Sequence, residues 1–166
     1  MISSRLPLIV PPILITFLLA SPDLPKVRVE PNSTGPRTLE EQTRSSVVRD
    51  YLQAWQSLGG ALSENQPDAL DESFVGVARE KLADTIREQK RLGIQAAYRD
   101  QAHDLDIVFY SPDGLSIQLL DRLEYRLEIR DHGRVVGSRQ VRARYVAVMT
   151  PTETRWKVRI LQAEPE

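Results

Sequence analysis

Between Leu115 and Arg130 the chain alternates between apolar and polar positions. Leu115, Ile117, Leu119, Leu123, Leu127 and Ile129, with Asp121 and Tyr125 among them, fall on odd positions. Ser116, Gln118, Arg122, Glu124, Arg126, Glu128 and Arg130 fall on even ones. Successive side chains leave a strand on opposite sides, so this pattern predicts a strand with one buried and one solvated face. It exceeds the usual strand of about 5–6 residues, so it must twist, bend or bulge over a small core. Leu105–Tyr110 reads as the strand before it, joined through Pro112-Asp113-Gly114. Asp131-His132-Gly133 reads as a three-residue loop, with Gly in the left-handed third position. Val135–Met149 follows, then a turn at 151–154 and a last strand, Arg155–Ala163. The three-residue loop pairs Ile129 with Val135, Leu123 with Val141 and Leu119 with Tyr145. It puts Val141, Ala143, Tyr145, Ala147 and Met149 on the apolar face, whereas a two-residue loop buries Arg142 and Arg144. In the last strand Trp156, Val158 and Ile160 are expected to face inward.

Upstream the period is helical. Thr38 and Glu41 have the spacing of a capping box. Val47, Val48, Tyr51, Leu52, Trp55 and Leu58 follow on one face, and Gly59-Gly60 weakens or ends the helix. Tyr51 and Trp55 read either as aromatics packed on a sheet or as a pair that stacks on a ligand. Pro67-Asp68 opens a short helix. A further helix spans Val75–Leu92, with Ala78, Leu82 and Ile86 as its buried stripe and Gly93 as its stop. The expected fold is α+β: N-terminal helices packed on the apolar face of a curved four-stranded antiparallel meander.

Arg5 followed by the apolar run Leu6–Ala20 has the form of a secretory signal, cleaved or retained as an anchor. It is shorter than the roughly 20 residues of a membrane helix. Residues 21–37 carry four prolines and Gly35 and read as a linker. Asn32-Ser33-Thr34 fits a glycosylation sequon. Residues 38–166 remain for the folded domain. A net charge of −1 with mixed signs argues against a nucleic-acid binder. The absence of cysteine excludes disulfides, thiolate metal sites and a thiol nucleophile. No His, Asp or Glu cluster has metal-ligand spacing, and no phosphate-binding glycine loop occurs, so no metal or cofactor is expected.

This order of elements resembles the nuclear transport factor 2-like superfamily of cone-shaped α+β domains. The resemblance covers about residues 38–163. It rests on Tyr51-Leu52-x-Ala54-Trp55 in the first helix, Asp68-Ala69-Leu70 with Phe74, the long hairpins, and Arg155-Trp156-Lys157-Val158 closing the sheet. The connection between Trp55 and Asp68 is longer than in compact members. The superfamily includes ketosteroid isomerases, scytalone dehydratase, polyketide cyclases and many non-catalytic domains, some tethered in a periplasm. The resemblance implies that any site lies inside the cone.

Strand parity points one carboxylate inward, Asp121, with Leu105 and Ala143 as expected neighbours. A carboxylate enclosed there can act as a general base, unless a bulge at Leu119-Leu120 turns it outward. Tyr125 and Tyr145 share that face, but Tyr125 stands roughly 13 Å from Asp121 at about 3.3 Å per residue. Arg139 is inward by parity, opposite Tyr125, placed either to bind an acidic ligand or to snorkel over the rim. His103-Asp104 reads either as an acid–base pair or, with no third group nearby in sequence, as a loop or cap before the first strand, and His132 as an exposed turn residue. The expected function is a non-catalytic exported or tethered domain binding a protein partner or a small apolar ligand through Trp55, Tyr125, Arg139 and Tyr145. A homodimer through the charged face of Arg122, Glu124, Arg126 and Glu128 is also expected. The alternative is a small lyase or isomerase with Asp121 as general base.

Overall fold

The structure, a computed structural model, describes residues 25–30, 35 and 37–164. Helix α1 (Glu41–Glu64) turns its apolar stripe onto the sheet, burying Val47, Tyr51, Ala54, Trp55, Leu58, Ala61 and Leu62. Each large side chain so enclosed contributes about 1.5–3 kcal/mol. The helix begins after Glu40 without a side-chain cap, so the Thr38–Glu41 capping box does not form. It also runs through Gly59-Gly60, because the flanking Leu58, Ala61 and Leu62 are all buried and hold that turn. It ends at Asn65, in the left-handed region (φ 54°), whose side-chain N–H donates to the Ile94 carbonyl at 2.9 Å. A 3-10 turn, Pro67–Leu70, leads to helix α2 (Gly76–Arg91), where Ala83 and Gln89 join Ala78 and Ile86 as buried residues while Leu82 is only partly covered. Gly93, at φ 71°, stops it as expected.

The sheet has five strands in the order β1-β2-β3-β4-β5. They are β1 (Lys26–Glu30), β2 (Ile94–Tyr110), β3 (Ile117–Asp131), β4 (Arg134–Pro151) and β5 (Trp156–Glu164). The expected meander of four antiparallel strands is present. The sheet is nevertheless mixed, because residues 26–30, expected to be linker, pair in parallel with Ala102–Asp106 on the outer edge of β2. The flanking Pro25 and Pro31 hid a five-residue strand, KVRVE, that covers an otherwise open edge. The signal or anchor expected at residues 1–20 and the sequon at Asn32 lie outside the described residues. Among those described, no helix is long and apolar enough to cross a membrane.

Strand β2 starts at Ile94, not Leu105. The β3–β4 turn is also tighter than expected. Asp131 pairs with Arg134 across His132 (φ 48°) and Gly133 (φ 77°), a two-residue loop with both positions left-handed. Such a loop by itself buries Arg142 and Arg144. A bulge beside Ile129 admits Val136 as an extra residue and reverses the parity again. Tyr125 therefore pairs with Val141, Leu123 with Ala143 and Asp121 with Tyr145. The inward face comes out as expected, with pairings offset by two residues. A further irregularity between Val148 and Met149 leaves Ile160 at 37% exposure and turns Leu161 onto the core instead.

On the solvated face the charges expected to form a dimer surface each pair with other charges of this chain. Arg122 meets Asp104 and Asp106, Arg142 meets Glu124, and Arg126 meets Asp100. Exposed pairs of this kind contribute about 0.2–1 kcal/mol each, so the stability of the domain resides in the opposite face.

Candidate functional site

Three elements converge on one carboxylate in the core. Tyr51, on the buried stripe of α1, donates its hydroxyl to Asp121 Oδ2 at 2.9 Å. His103 Nδ1, on β2, lies 2.7 Å from the same oxygen as its second hydrogen-bonding partner. The side chains of His103 and Asp121 have no solvent exposure, and neither does Tyr51. Asp121 Oδ1 and Trp55 Nε1 are buried without a hydrogen-bond partner among the described residues. The other ring nitrogen of His103, Nε2, stands 3.4 Å from Gln101 Oε1.

A bulge delivers His103 to this place. Tyr98 pairs with Leu127 and Arg99 with Arg126, but Ala102 pairs with Glu124, so β2 carries one more residue than β3 over this interval. Asp100 absorbs the excess in the left-handed region at φ 52°, which Asp tolerates better than most residues. Before the bulge even-numbered residues of β2 face inward, as Ala96 and Tyr98 do. After it odd-numbered ones do, as His103, Leu105 and Ile107 show. Without the extra residue Ala102, Asp104 and Asp106 would occupy the core. The alternative of a bulge at Leu119-Leu120 is not realised, since these residues pair consecutively with Ile107 and Asp106; the nearest bulge lies across the ladder, between Ile107 and Phe109. Asp121 therefore keeps its inward direction, with Leu105 as expected and Tyr145, in place of Ala143, as its paired neighbours.

Aromatic rings enclose the cluster. The Trp55 ring lies 5.7 Å from His103, 5.1 Å from Tyr145, 6.1 Å from Tyr98 and 6.5 Å from Tyr51. Tyr98 and Tyr125 stack at 4.7 Å, and the hydroxyls of Tyr125 and Tyr145 are 3.4 Å apart. Burial, reinforced by the charge of Asp121, pushes the Tyr51 phenol well above its usual range. Burial likewise raises Tyr98 and Tyr145. The sign of the pH dependence follows. Below about pH 10 both the folded and the unfolded tyrosines are protonated, and stability is at its full value. Above it the unfolded chain releases protons that the folded chain retains, so stability falls with rising pH. For the fully enclosed Tyr51 the slope is about 1.4 kcal/mol per pH unit, the value for one proton that the folded chain holds and the unfolded chain releases. Alkaline titration followed at the tyrosinate absorbance is expected to show these tyrosines ionising only as the fold is lost. Tyr51→Phe should flatten the dependence.

Of the residues the sequence singled out, Asp121, Trp55, Tyr125 and Tyr145 are brought together. Trp55, at 2% exposure, is a core residue rather than a surface on which a ligand stacks. Arg139 keeps its inward parity but, through the two-residue offset in β4, pairs with Leu127 instead of Tyr125, near the hairpin end, where it lies exposed. His103 was expected in a loop and proves central. The polar run Arg99-Asp100-Gln101 conceals its strand, although a left-handed-tolerant Asp within that run is the one local sign of a bulge. His132 sits exposed in its turn, bonded to Asp131. Among the described residues no three His, Asp or Glu side chains are grouped to hold a metal ion.

The sequence matches no family model and no curated protein. Solved structures do match it. The intermembrane space region of chloroplast protein ARC6 aligns over 78% of this chain and 100% of its own, with 15% identity and a TM-score of 0.61. A candidate scytalone dehydratase from Novosphingobium aromaticivorans aligns over 76% of this chain and 89% of its own, at 14% identity and a TM-score of 0.48. An NTF-2 like protein of unknown function from Shewanella oneidensis aligns over 71% and 98%, at 10% identity and a TM-score of 0.40. At these identities the likeness is one of fold. The chain is an α+β domain with its helices packed on one face of a curved sheet, a fold it shares with the ARC6 intermembrane space region, and its polar cluster is closed in the core.

Proposed function

We propose that this chain is a non-catalytic exported or membrane-tethered domain that binds a protein partner or a small apolar ligand. The closure of the Tyr51–Asp121–His103 cluster carries this reading, since a base that meets no solvent meets no substrate. A buried carboxylate with two hydrogen-bond donors ties a helix to two strands, which is a structural task. Toward the hairpin end of the cone Tyr98, Leu127, Ile129 and Val141 remain partly exposed and offer an apolar lining for a ligand or partner. The similar ARC6 region is named for an intermembrane space. The apolar Leu6–Ala20 run ahead of a Pro-rich segment supports a position beyond a membrane here too. Alkaline phosphatase joined after residue 37 and expressed in a bacterial host is expected to be active. Leu14→Arg with Leu18→Arg should abolish that activity. An inactive parent fusion refutes export.

The second reading is a small lyase or isomerase that uses Asp121 as its base. Two observations favour it: His103 and Tyr51 converge on Asp121, and its Oδ1 is left without a partner. Turnover of steroid enones or hydroxynaphthalenones by the full chain, abolished in a folded Asp121→Asn variant, would establish it and overturn the non-catalytic reading.

A further inference from the structure

We propose that the uncovered edge of β4 receives an extended acidic peptide as a sixth strand. This rests on the reading above of an interaction domain and names its partner by chemistry. Strand β5 pairs with β4 only from Arg144, opposite Glu164, to Pro151. Apart from the bulged Val136, residues 134–143 thus pair with β3 on one side and, among the described residues, meet no strand on the other, over about 33 Å at 3.3 Å per residue. Residues 134–140 are all exposed, including Val135 at 52% and Val136 at 60%. Such an edge is a template for strand addition.

The charge on this edge is one-sided. The segment 134–143 contains Arg134, Arg139 and Arg142 and no acidic residue. Arg134 and Arg139 form no ion pair among the described residues, and Arg142 keeps 69% of its side chain exposed while meeting Glu124. A second copy is a poor occupant. Antiparallel pairing of β4 with itself gathers three arginines from each chain with no acid between them, and like charges across a ladder repel. An acidic strand meets them instead. Parity sets Arg139 on the inner face and Arg142 on the outer, so the peptide needs acidic residues on both sides.

A groove gives the strand a place for an apolar side chain. Leu127, Ile129, Gly137, Ser138 and Arg139 line a hollow of about 270 Å³ next to the edge. Gly137, opposite Ile129, leaves it open, and a Cβ added there meets nothing within 4 Å. Main-chain bonds along the edge, an apolar anchor in this groove and carboxylates on the arginines are three independent requirements that one acidic extended segment fulfils together.

The test uses the full chain in detergent with two labelled peptides of about a dozen residues, one repeating Glu-Glu-Val-Val, which places both residue types on each face of a strand, and one with Lys in place of each Glu. The Glu peptide is expected to bind and the Lys peptide not, with slowed amide exchange along 134–143. Arg139→Glu and Arg142→Glu should each weaken binding roughly five- to tenfold. Gly137→Phe should weaken it at least as much by filling the groove, without altering amide protection in α1 or β3. Binding that leaves exchange at 134–143 unchanged overturns the edge proposal while the interaction reading stands. Binding by neither peptide overturns it too, and leaves that reading to its own export and turnover tests. Protection of 134–143 that rises with protein concentration and no peptide assigns the edge to a second copy and overturns it equally.

Discussion

Asp121→Ala is expected to lower folding stability by about 3–5 kcal/mol, the usual cost of removing one partner from a buried polar group. For a domain of this size that is a fall of roughly 10–20 °C in Tm. The substitution leaves the Tyr51 hydroxyl and the His103 imidazole in the core with no acceptor between them, and neither has solvent to turn to. It also opens a small void under α1. Replacing the whole group, Tyr51→Phe with His103→Leu and Asp121→Leu, removes donors and acceptor together and fills the void. The triple variant should therefore lie within roughly 1–2 kcal/mol of the parent, far above the single one. Urea denaturation of both proteins, with the parent as reference, measures the difference. A triple variant as unstable as Asp121→Ala means that packing rather than hydrogen bonding dominates at this site.

Deletion of Asp100 is expected to abolish folding, whereas Asp100→Gly should change stability by less than about 1 kcal/mol. Asp100 is left-handed at φ 52° and pairs with Arg126 on the solvated face. Glycine adopts that conformation more readily, which offsets the lost ion pair. Deletion has a different consequence. It removes the extra residue of the bulge, so every residue from Ala102 to Ile107 changes face. Asp104 and Asp106 would enter the core, and His103, Leu105 and Ile107 would leave it. Near-ultraviolet circular dichroism and amide dispersion in NMR distinguish the outcomes, since loss of the Tyr51–Trp55–His103 ring packing removes both signals. A dispersed spectrum from the deletion variant would show that β2 had slipped to a register in which the bulge was not needed.

Both results turn on features that local pattern conveys unequally. The long alternation of β3 identifies the inward set, Asp121 included, because that strand runs without a bulge through its central ladder with β4. Helix α1 is legible for the same reason: its stripe faces one sheet without interruption. What was hidden lies where parity breaks. The Asp100 bulge inserts one residue that periodicity does not carry and hides the first half of β2, and the Val136 bulge together with the shorter hairpin loop moves Arg139 two places from its expected partner. Strand β1 was hidden between prolines, since five residues hold too little alternation to stand out. The candidate site suffered most. Its members come from positions 51, 103 and 121, separated by 52 and 18 residues, and nothing local marks them as neighbours.

By itself, then, the sequence determined the α+β class, the inward face of the meander, the helix that covers it and one inward carboxylate. These depend on the period of hydrophobic side chains, which backbone geometry imposes over short distances. Only the tertiary structure decided that His103 joins that carboxylate, that Tyr51 completes the cluster, that the cluster is closed, and that among the described residues one edge of the sheet stays open. Each depends on how many residues every strand spends between fixed pairings, a quantity set by the ladder as a whole rather than by any one stretch of chain.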